Sequence, residues 1–562
     1  MTMLNELFAT NAATRRERLA ASLIALLSVA LPIVLYGLRT LDDNRLVSWN
    51  LIADWVQPAI PMAGIMLGVP VAYGLASFRL PGPALLFPLA FFASALFWGM
   101  PETIVDASRY FTQAKHLAIY GPGFFLTEWG GEIDAWTDLP VMSFLYGLIF
   151  KYGGEIRIYA QILNSLLFAT AVTTTALFAE ELWSRETGNI AGALLLAVPY
   201  LFTQTPLLLV DIGAMAFFVL AAYFFLIYLR RGDSVLAGVA ALVIFLAFFS
   251  KYSVWLMLFI LGTEFLLVLQ ESPAAALRRG IFVALLSGLI IGLALIFYAD
   301  VIREQLVILR EFQQPRLRAW EESFTSTFLF HTHPFVAIGA GGSLLLAIFR
   351  RDIRYLVVAW LVLLFVPGMQ IRRIRYLVPI FPLLTIMAAY GLGVISSARV
   401  RRFIVYCAVS GSLVIALTAY LPFLQGHSIA NLKDAGRFMD RLTAESFLVH
   451  TLPQQSVVNP AIAVPLLDLY TRKTIYYDYP SAGRPEEEEI VKMSLRFTWG
   501  YNNPRYYTSP LSFDPDALVI IWGYGEPSPP GYTLMRKFVR AEKVYSFRPY
   551  VSIFSPEGSP FP

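Results

Sequence analysis

Apolar runs of about 20 residues, long enough to cross a bilayer as a helix, recur from Leu19 to Phe423. No other feature restricts the fold as strongly. Inside a bilayer every backbone polar group must find a partner within the protein, so such segments form helices and pack as a bundle. Charge usage agrees. Only 15% of the residues are charged, 57% are hydrophobic and the mean hydropathy is +0.61, whereas soluble domains carry about 25% charged residues.

The remaining charges give an orientation. Arg15, Arg16 and Arg18 precede the first run, Leu19–Leu38, which is long enough to stay as an anchor and has no convincing cleavage site. Positive charge there puts the N-terminus in the cytoplasm. Further spans are expected at 58–78, 83–99, 156–180, 189–203, 212–229, 235–250, 253–270, 281–299, 333–349, 355–369, 377–396 and 403–423. That makes about thirteen in all. Arg79, Arg230, Arg231, Arg278, Arg279, Arg350, Arg351, Arg354, Arg399, Arg401 and Arg402 then fall at inner turns. Leu139–Lys151 is apolar but short, and reads as a re-entrant or interfacial helix. Gly558–Pro562 carries no lumenal retention signal, so a prokaryotic plasma (inner) membrane is the expected location.

The composition changes at Gly426. Apolar runs shorten to strand length at Phe447–His450, Thr474–Tyr477, Leu518–Trp522 and Val551–Phe554, and Asn431–Leu442 reads as an amphipathic helix. This is a mixed α/β domain of about 130 residues, extracytoplasmic because the number of spans is odd. Glu486–Glu489 reads as a solvated helix start. The division is thus 1–82, N-terminal spans; 83–425, membrane core with an outer loop at 100–155; and 426–562, outer domain. The one cysteine, Cys407, excludes an internal disulfide, and five histidines leave little room for a metal cluster. There is no long-period repeat, no P-loop and no dinucleotide glycine motif. No nucleic-acid partner is expected.

The stretch from Pro101 to Pro140 is long, polar and aromatic, between segments apolar enough to span. Asp106, Arg109, Tyr110 and Gln113 are spaced i, i+3, i+4, i+7 and share one helix face. That suits a helix lying in the interface with its polar face toward a cavity, and equally a plain Asp106–Arg109 pair. Asp138, before Leu139 and Pro140, reads as a helix N-cap. Asp211, at the mouth of a span, is either a cap or a functional carboxylate at membrane depth. Arg372, Arg373 and Arg375 form an outer basic cluster with no local acid, ending at Tyr376, and Lys251 sits at another outer turn. Guanidinium groups bind phosphate through paired hydrogen bonds, so the cluster fits lipid headgroups in general or one specific phosphate. Arg303, Arg310, Arg316 and Arg318 can be balanced by acids in their own loop. His331 and His333 lack the helical spacing of a metal pair and read as structural. Trp98 and Trp129 read as interface anchors.

Four stretches carry a family resemblance. They are Asp106-Ala107-Ser108-Arg109-Tyr110 followed by Ala114, Leu117 and Gly121; DLPVMSFLYGLIFKYGG with RIYAQILNSLLFATAV; TPLLLVDIGAMAFFVLAAYFFL with FFSKYSVWLML; and RIRYLVPIFPLL. In order and spacing, over residues 83–400, the chain resembles the GT-C class of polytopic glycosyltransferases. It is most similar to the branch of protein O-mannosyltransferases and lipid A aminoarabinose transferases. The chain departs from the pattern in places. Ala107 stands where many members carry a second acid, which speaks against a paired-acid or divalent-cation mechanism, and two extra spans precede the usual start.

The resemblance implies an enzyme whose donor is a polyprenyl-phosphate-linked sugar, with membrane lipid around it and an acceptor of unknown identity. Asp106 would be the general base toward an acceptor hydroxyl, and transfer would invert the anomeric centre. Lys251, Arg372, Arg373 and Arg375 would hold the leaving phosphate, while Arg109 and Tyr110 shape the donor pocket and Asp211 and Tyr376 complete the substrate site. No cofactor is needed. A flippase for a lipid-linked sugar, or a ligase or polymerase of lipid-linked glycans, stands as the alternative. Transport would call for charges deep in several spans and an inverted repeat.

Overall fold

The structure, a computed structural model, describes residues 2–314, 322–427, 429–452, 458–477, 486, 488–489, 502–509, 515–523, 525–539 and 549–558. Seven helices are long and apolar enough to cross a membrane: Arg15–Gly37, Arg157–Leu182, Asp211–Arg231, Tyr252–Glu271, Pro273–Phe297, Ile374–Leu392 and Ala398–Gly426. An eighth candidate is the pair Trp49–Trp55 and Ala59–Leu75, bent by 99°. The chain is therefore a multi-pass membrane protein.

The count of thirteen is not met by full-length helices. Four of the expected spans are shorter apolar helices of 10–17 residues, Pro83–Ala95, Ser234–Phe248, Pro334–Arg350 and Tyr355–Gly368. The one expected at 189–203 is broken into Arg185–Leu195 and Pro199–Gln204. The break has a local cause. Val198 precedes a proline, is forced out of the helical region (φ −109°, ψ 91°), and Pro199 starts a new helix at its first position.

The Ile374–Leu392 and Asp211–Arg231 helices are the most enclosed, 89% and 83% buried over their apolar windows, while Pro273–Phe297, at 17%, lies at the edge. Small residues let the central helices approach closely. A Cβ on Gly391 would sit 2.4 Å from the Gly339 carbonyl oxygen, and one on Gly188 would meet the Ala176 carbonyl oxygen at the same distance. At one end of the bundle Arg230 joins Glu181 and Glu271 from two neighbouring helices, at 3.2 and 2.9 Å.

The C-terminal part holds a five-stranded mixed sheet, β1 Ser446–Leu452, β2 Thr474–Tyr476, β3 Ala517–Trp522, β4 Tyr532–Phe538 and β5 Tyr550–Pro556, in the order β2-β1-β3-β5-β4. β1 is parallel to β2 and β3, and β5 is antiparallel to β3 and β4. Four strands match the expected runs. β4 escaped notice because it is an edge strand, with Arg536 and Lys537 breaking its apolar alternation. The expected amphipathic helix is Ala430–Met439. In the 486–489 run Glu488 and Glu489 are helical and exposed, while Glu487 lies outside the described residues, as do Arg316 and Arg318.

The loop between Pro83–Ala95 and Arg157–Leu182 folds into three helices, Ala107–Tyr120, Pro122–Glu128 and Pro140–Gly153. It is held from both sides. The membrane bundle lies under it, and the sheet domain is clamped on it through Lys115–Asp468 (2.6 Å), a hydrogen bond from the Glu102 amide to the Tyr470 hydroxyl (2.6 Å), and Asn502 donating to Asp134 (3.1 Å).

Candidate active site

The site begins with a stretch of chain that is not helical. Residues 206–210 run between Pro199–Gln204 and Asp211–Arg231, inside the bundle, with carbonyls that must be satisfied there. One helix supplies the donors. Arg157, Gln161 and Asn164, spaced i, i+4, i+7, present one face. Arg157 and Gln161 donate to the Pro206 carbonyl at 3.2 and 3.1 Å, and Asn164 donates to Leu207 at 2.6 Å. The Tyr146 hydroxyl donates to Leu209 at 2.7 Å. The Glu102 carboxylate accepts from the Leu208 amide at 3.1 Å and pairs with Arg157 at 2.7 Å. The loop carboxylate, the span and the irregular segment are thereby locked together, which fixes Asp211 at the first position of its helix.

Six charged side chains then form an alternating chain. Lys251 Nζ lies 2.6 Å from Asp211 Oδ1, and Asp211 Oδ2 lies 2.8 Å from Arg375 Nε. Arg375 Nη1 reaches Asp106 Oδ2 at 2.5 Å. Arg109 Nη2 sits between Asp106 Oδ1, 3.4 Å, and Asp138 Oδ1, 3.2 Å. Five of the six, all but Asp211, border one cavity of about 340 Å³, together with Tyr110, Tyr252 and Tyr376. Leu256, Leu309, Phe365, Met369 and Ile371 add an apolar wall. The polar face of the Ala107–Tyr120 helix turns toward this cavity. Tyr110 donates to Asp138 at 3.1 Å and Gln113 donates to its other oxygen at 3.3 Å.

Asp138 corrects the sequence reading. Leu139 is the N-cap of Pro140–Gly153 and no side chain caps that helix. Asp138 instead faces away from the helix end and takes Arg109, Tyr110 and Gln113. Nothing in the tripeptide Asp-Leu-Pro distinguishes these two fates. The signal would have been the missing countercharge for Arg109 beyond Asp106. Asp211 is likewise no cap, since Val210 holds that position and the carboxylate is spent on Lys251 and Arg375.

The basic cluster divides. Arg375 is buried in the cavity wall, and Tyr376 also borders the cavity, with Lys251 5.1 Å from its ring centre. Arg373 stands beside the site, its guanidinium 5.9 Å from the Tyr376 ring centre. Arg372 is exposed, lies 5.7 Å from the Phe324 ring centre and does not border the cavity. Glu322, one of the acids expected to balance the arginines of its own loop, accepts from the Ile374 amide at 3.3 Å and so braces the cluster. His331 is enclosed by Asp42 and Tyr420, and His333 caps the Pro334–Arg350 helix by accepting from the Phe335 amide. Arg303 and Asp300 form the exposed local pair expected of that loop. Among the described residues no group of three or more His, Cys, Asp or Glu side chains is arranged to hold a metal.

Position separates the carboxylates. Side-chain exposure is 20% for Asp106, 3% for Asp138 and 0% for Asp211, so Asp106 is the one open to a ligand. Electrostatics separates them further. Burial pushes the Asp106 carboxyl up, but the Arg109 and Arg375 guanidinium groups outweigh it and hold the group well below the usual carboxylate range. Burial also raises Asp138, and there Arg109 only partly offsets it, with Asp106 adding to the rise. Two carboxylates that share one arginine are thus driven in opposite directions.

The architecture defined here is a polytopic helical bundle whose long inter-span loop helps wall one charged cavity, with a sheet domain docked on that loop. Its fold is that of ArnT. ArnT from Cupriavidus metallidurans bound to undecaprenyl phosphate superposes with a TM-score of 0.50 at 13% identity, covering 84% of this chain and 97% of that one. The apo form gives 0.51 at 14% identity with the same coverage. The oligosaccharyltransferase AglB from Archaeoglobus fulgidus, in complex with an inhibitory peptide and a dolichol-phosphate, aligns at 0.46 and 12% identity over 68% of this chain and 63% of that one. No protein-family model matches the sequence, and no curated protein matches it. The sequence resemblance to the aminoarabinose-transferase branch of the GT-C class holds at the level of fold.

Proposed function

We propose that this protein is an integral membrane glycosyltransferase that moves a sugar from a polyprenyl-phosphate donor to an acceptor hydroxyl at the outer face of the plasma membrane. The observation that carries the reading is a cavity bordered both by the Asp, Arg and Lys side chains of the charged chain and by apolar side chains. A phosphate needs the first and a prenyl chain the second. The fold shared with an ArnT bound to undecaprenyl phosphate supports the same donor.

In this reading residues 83–425 are the catalytic core, 1–82 add further spans, and 426–562 form the extracytoplasmic domain. The chain crosses about thirteen times, several of the crossings made by shorter apolar helices. Arg375 and Lys251 hold the donor phosphate, with Arg373 adding charge beside them. Tyr376 and Tyr110 line the donor pocket, and Asp211 orients Arg375 and Lys251. The acceptor oxygen attacks the anomeric carbon from the face opposite the phosphate. The bond from that carbon to the phosphate oxygen breaks, its electron pair leaves on the lipid phosphate, and the acceptor proton passes to Asp106. One displacement inverts the centre.

The test is transfer itself. Protein in liposomes is given radiolabelled polyprenyl-phosphate hexoses and pentoses with envelope lipid, glycan and protein fractions. Label on a new acceptor supports the reading, whereas label crossing the bilayer still attached to its lipid supports a flippase instead.

A further inference from the structure

Within the polyprenyl-phosphate reading, the ligand-free geometry poses a problem. The residue open to an acceptor, Asp106, is tied to two guanidinium groups and is a weak base in that state. The cations that a phosphate would need are also engaged: Lys251 by Asp211, Arg375 by Asp211 and Asp106, and Arg109 by Asp106 and Asp138. Donor phosphate and Asp106 must therefore compete.

Arg375 shows where. Its Nε stays on Asp211, which is fully buried and also bound by Lys251. That contact anchors the guanidinium plane. Arg375 borders the cavity, and the edge opposite the Asp211 contact carries Nη1 and Nη2. A guanidinium binds phosphate best through two parallel hydrogen bonds from such an edge. Nη1 carries the Asp106 carboxylate at 2.5 Å, and among the described residues nothing accepts from Nη2. Half of the phosphate fork is open and half is capped by Asp106.

The geometry points to a donor-gated base: the donor phosphate takes the Nη1–Nη2 edge of Arg375, displaces Asp106 from it, and so frees that carboxylate to accept the acceptor proton only when the donor is in place. No bond is made or broken in this step. One ion pair exchanges for another, while the Arg375–Asp211 contact persists. The device makes donor binding precede productive acceptor binding, and it keeps an empty site from activating water.

Competition and support make opposite predictions. If Asp106 competes for the fork, neutralising it tightens phosphate binding. If Asp106 merely orients Arg375, the same change weakens it. The probe is undecaprenyl phosphate, titrated into full-length protein in nanodiscs. Asp106→Asn is expected to bind it about 5- to 10-fold more tightly than wild type, the effect of removing one negative charge about 4 Å away at a water-like dielectric. Asp138→Asn touches Arg109 but not Arg375, and is expected to change binding less than Asp106→Asn. Equal or weaker binding by Asp106→Asn overturns the gate, as does an equal gain in Asp138→Asn. Asp106→Ser carries the same comparison if the amide variant does not purify folded. Failure of wild type to bind the lipid phosphate at all would instead remove the donor assignment on which the gate rests.

Discussion

Two buried ion-pair networks grip the same inter-span loop, and they are built differently. One joins the loop to the sheet domain. Lys115 bridges Glu155 and Asp468 at 2.8 and 2.6 Å, Tyr507 donates to Asp468 at 2.6 Å, and Tyr470 lies against Arg157, 5.4 Å from its guanidinium to the ring centre. The other joins the loop to the bundle through Asp106, Arg109, Asp138, Asp211, Lys251 and Arg375. The first is walled by tyrosine rings, and its charges border no part of the charged cavity. The second borders that cavity, and in it Arg375 keeps Nη2 without an acceptor among the described residues. Buried pairs are costly to build and do little for net stability unless fully satisfied. The closed network is satisfied and serves docking. The open one leaves bonding capacity for a ligand.

Single substitutions should separate the two. Arg375→Ala is expected to cut undecaprenyl phosphate affinity by about 10- to 100-fold, the worth of a charge-assisted bidentate contact. It should also lower stability, because Asp106 and Asp211 lose their shared partner. Lys115→Ala should do the reverse. It strands the buried Asp468 and costs about 3 kcal/mol of stability, read as raised hydrogen exchange in 107–120 and 460–468, with lipid-phosphate affinity within twofold of wild type, about 0.4 kcal/mol. Similar loss of affinity in both variants would erase the distinction.

The docking network should also respond to pH. Burial raises the Glu155 carboxyl from 4.5 to about 7, with Lys115 offsetting only part of the rise and Asp468 adding to it. The folded state then binds more protons than the unfolded one between these values, so stability falls as pH rises from 4.5 toward 7. Glu155→Gln is expected to flatten that slope in thermal unfolding of the full chain, and an unchanged slope would assign it to another group. The smallest effect is expected from Arg372→Ala. Its guanidinium lies over Phe324 outside the cavity, so lipid-phosphate affinity should barely move. A loss as large as that from Arg375→Ala would restore the whole cluster as a clamp.

Much of this arrangement was readable from local sequence. Hydrophobic runs located the helices, and helical spacing put Asp106, Arg109, Tyr110 and Gln113 on one face. Lys251 and the 372–375 cluster stood out because basic residues are uncommon at outer turns. What local pattern cannot carry is the pairing of distant charges. Asp138 resembled a cap because Asp-Leu-Pro is good capping sequence, and only the fold brings it to Arg109. Arg372 and Arg375 are three residues apart in one cluster, yet one turns out of the bundle and the other into it. The run expected at 83–99 ends as a helix at Ala95, since hydropathy reports apolarity and not where a helix stops.

The central claim is that Asp106 removes the acceptor proton. Single-turnover transfer from a labelled polyprenyl-phosphate sugar, with wild type and Asp106→Asn compared at equal, saturating donor occupancy, tests it most directly. The account predicts that the variant binds donor and transfers about 10²- to 10⁴-fold more slowly, the usual contribution of a positioned general base. Transfer at the wild-type rate by donor-saturated Asp106→Asn would contradict it.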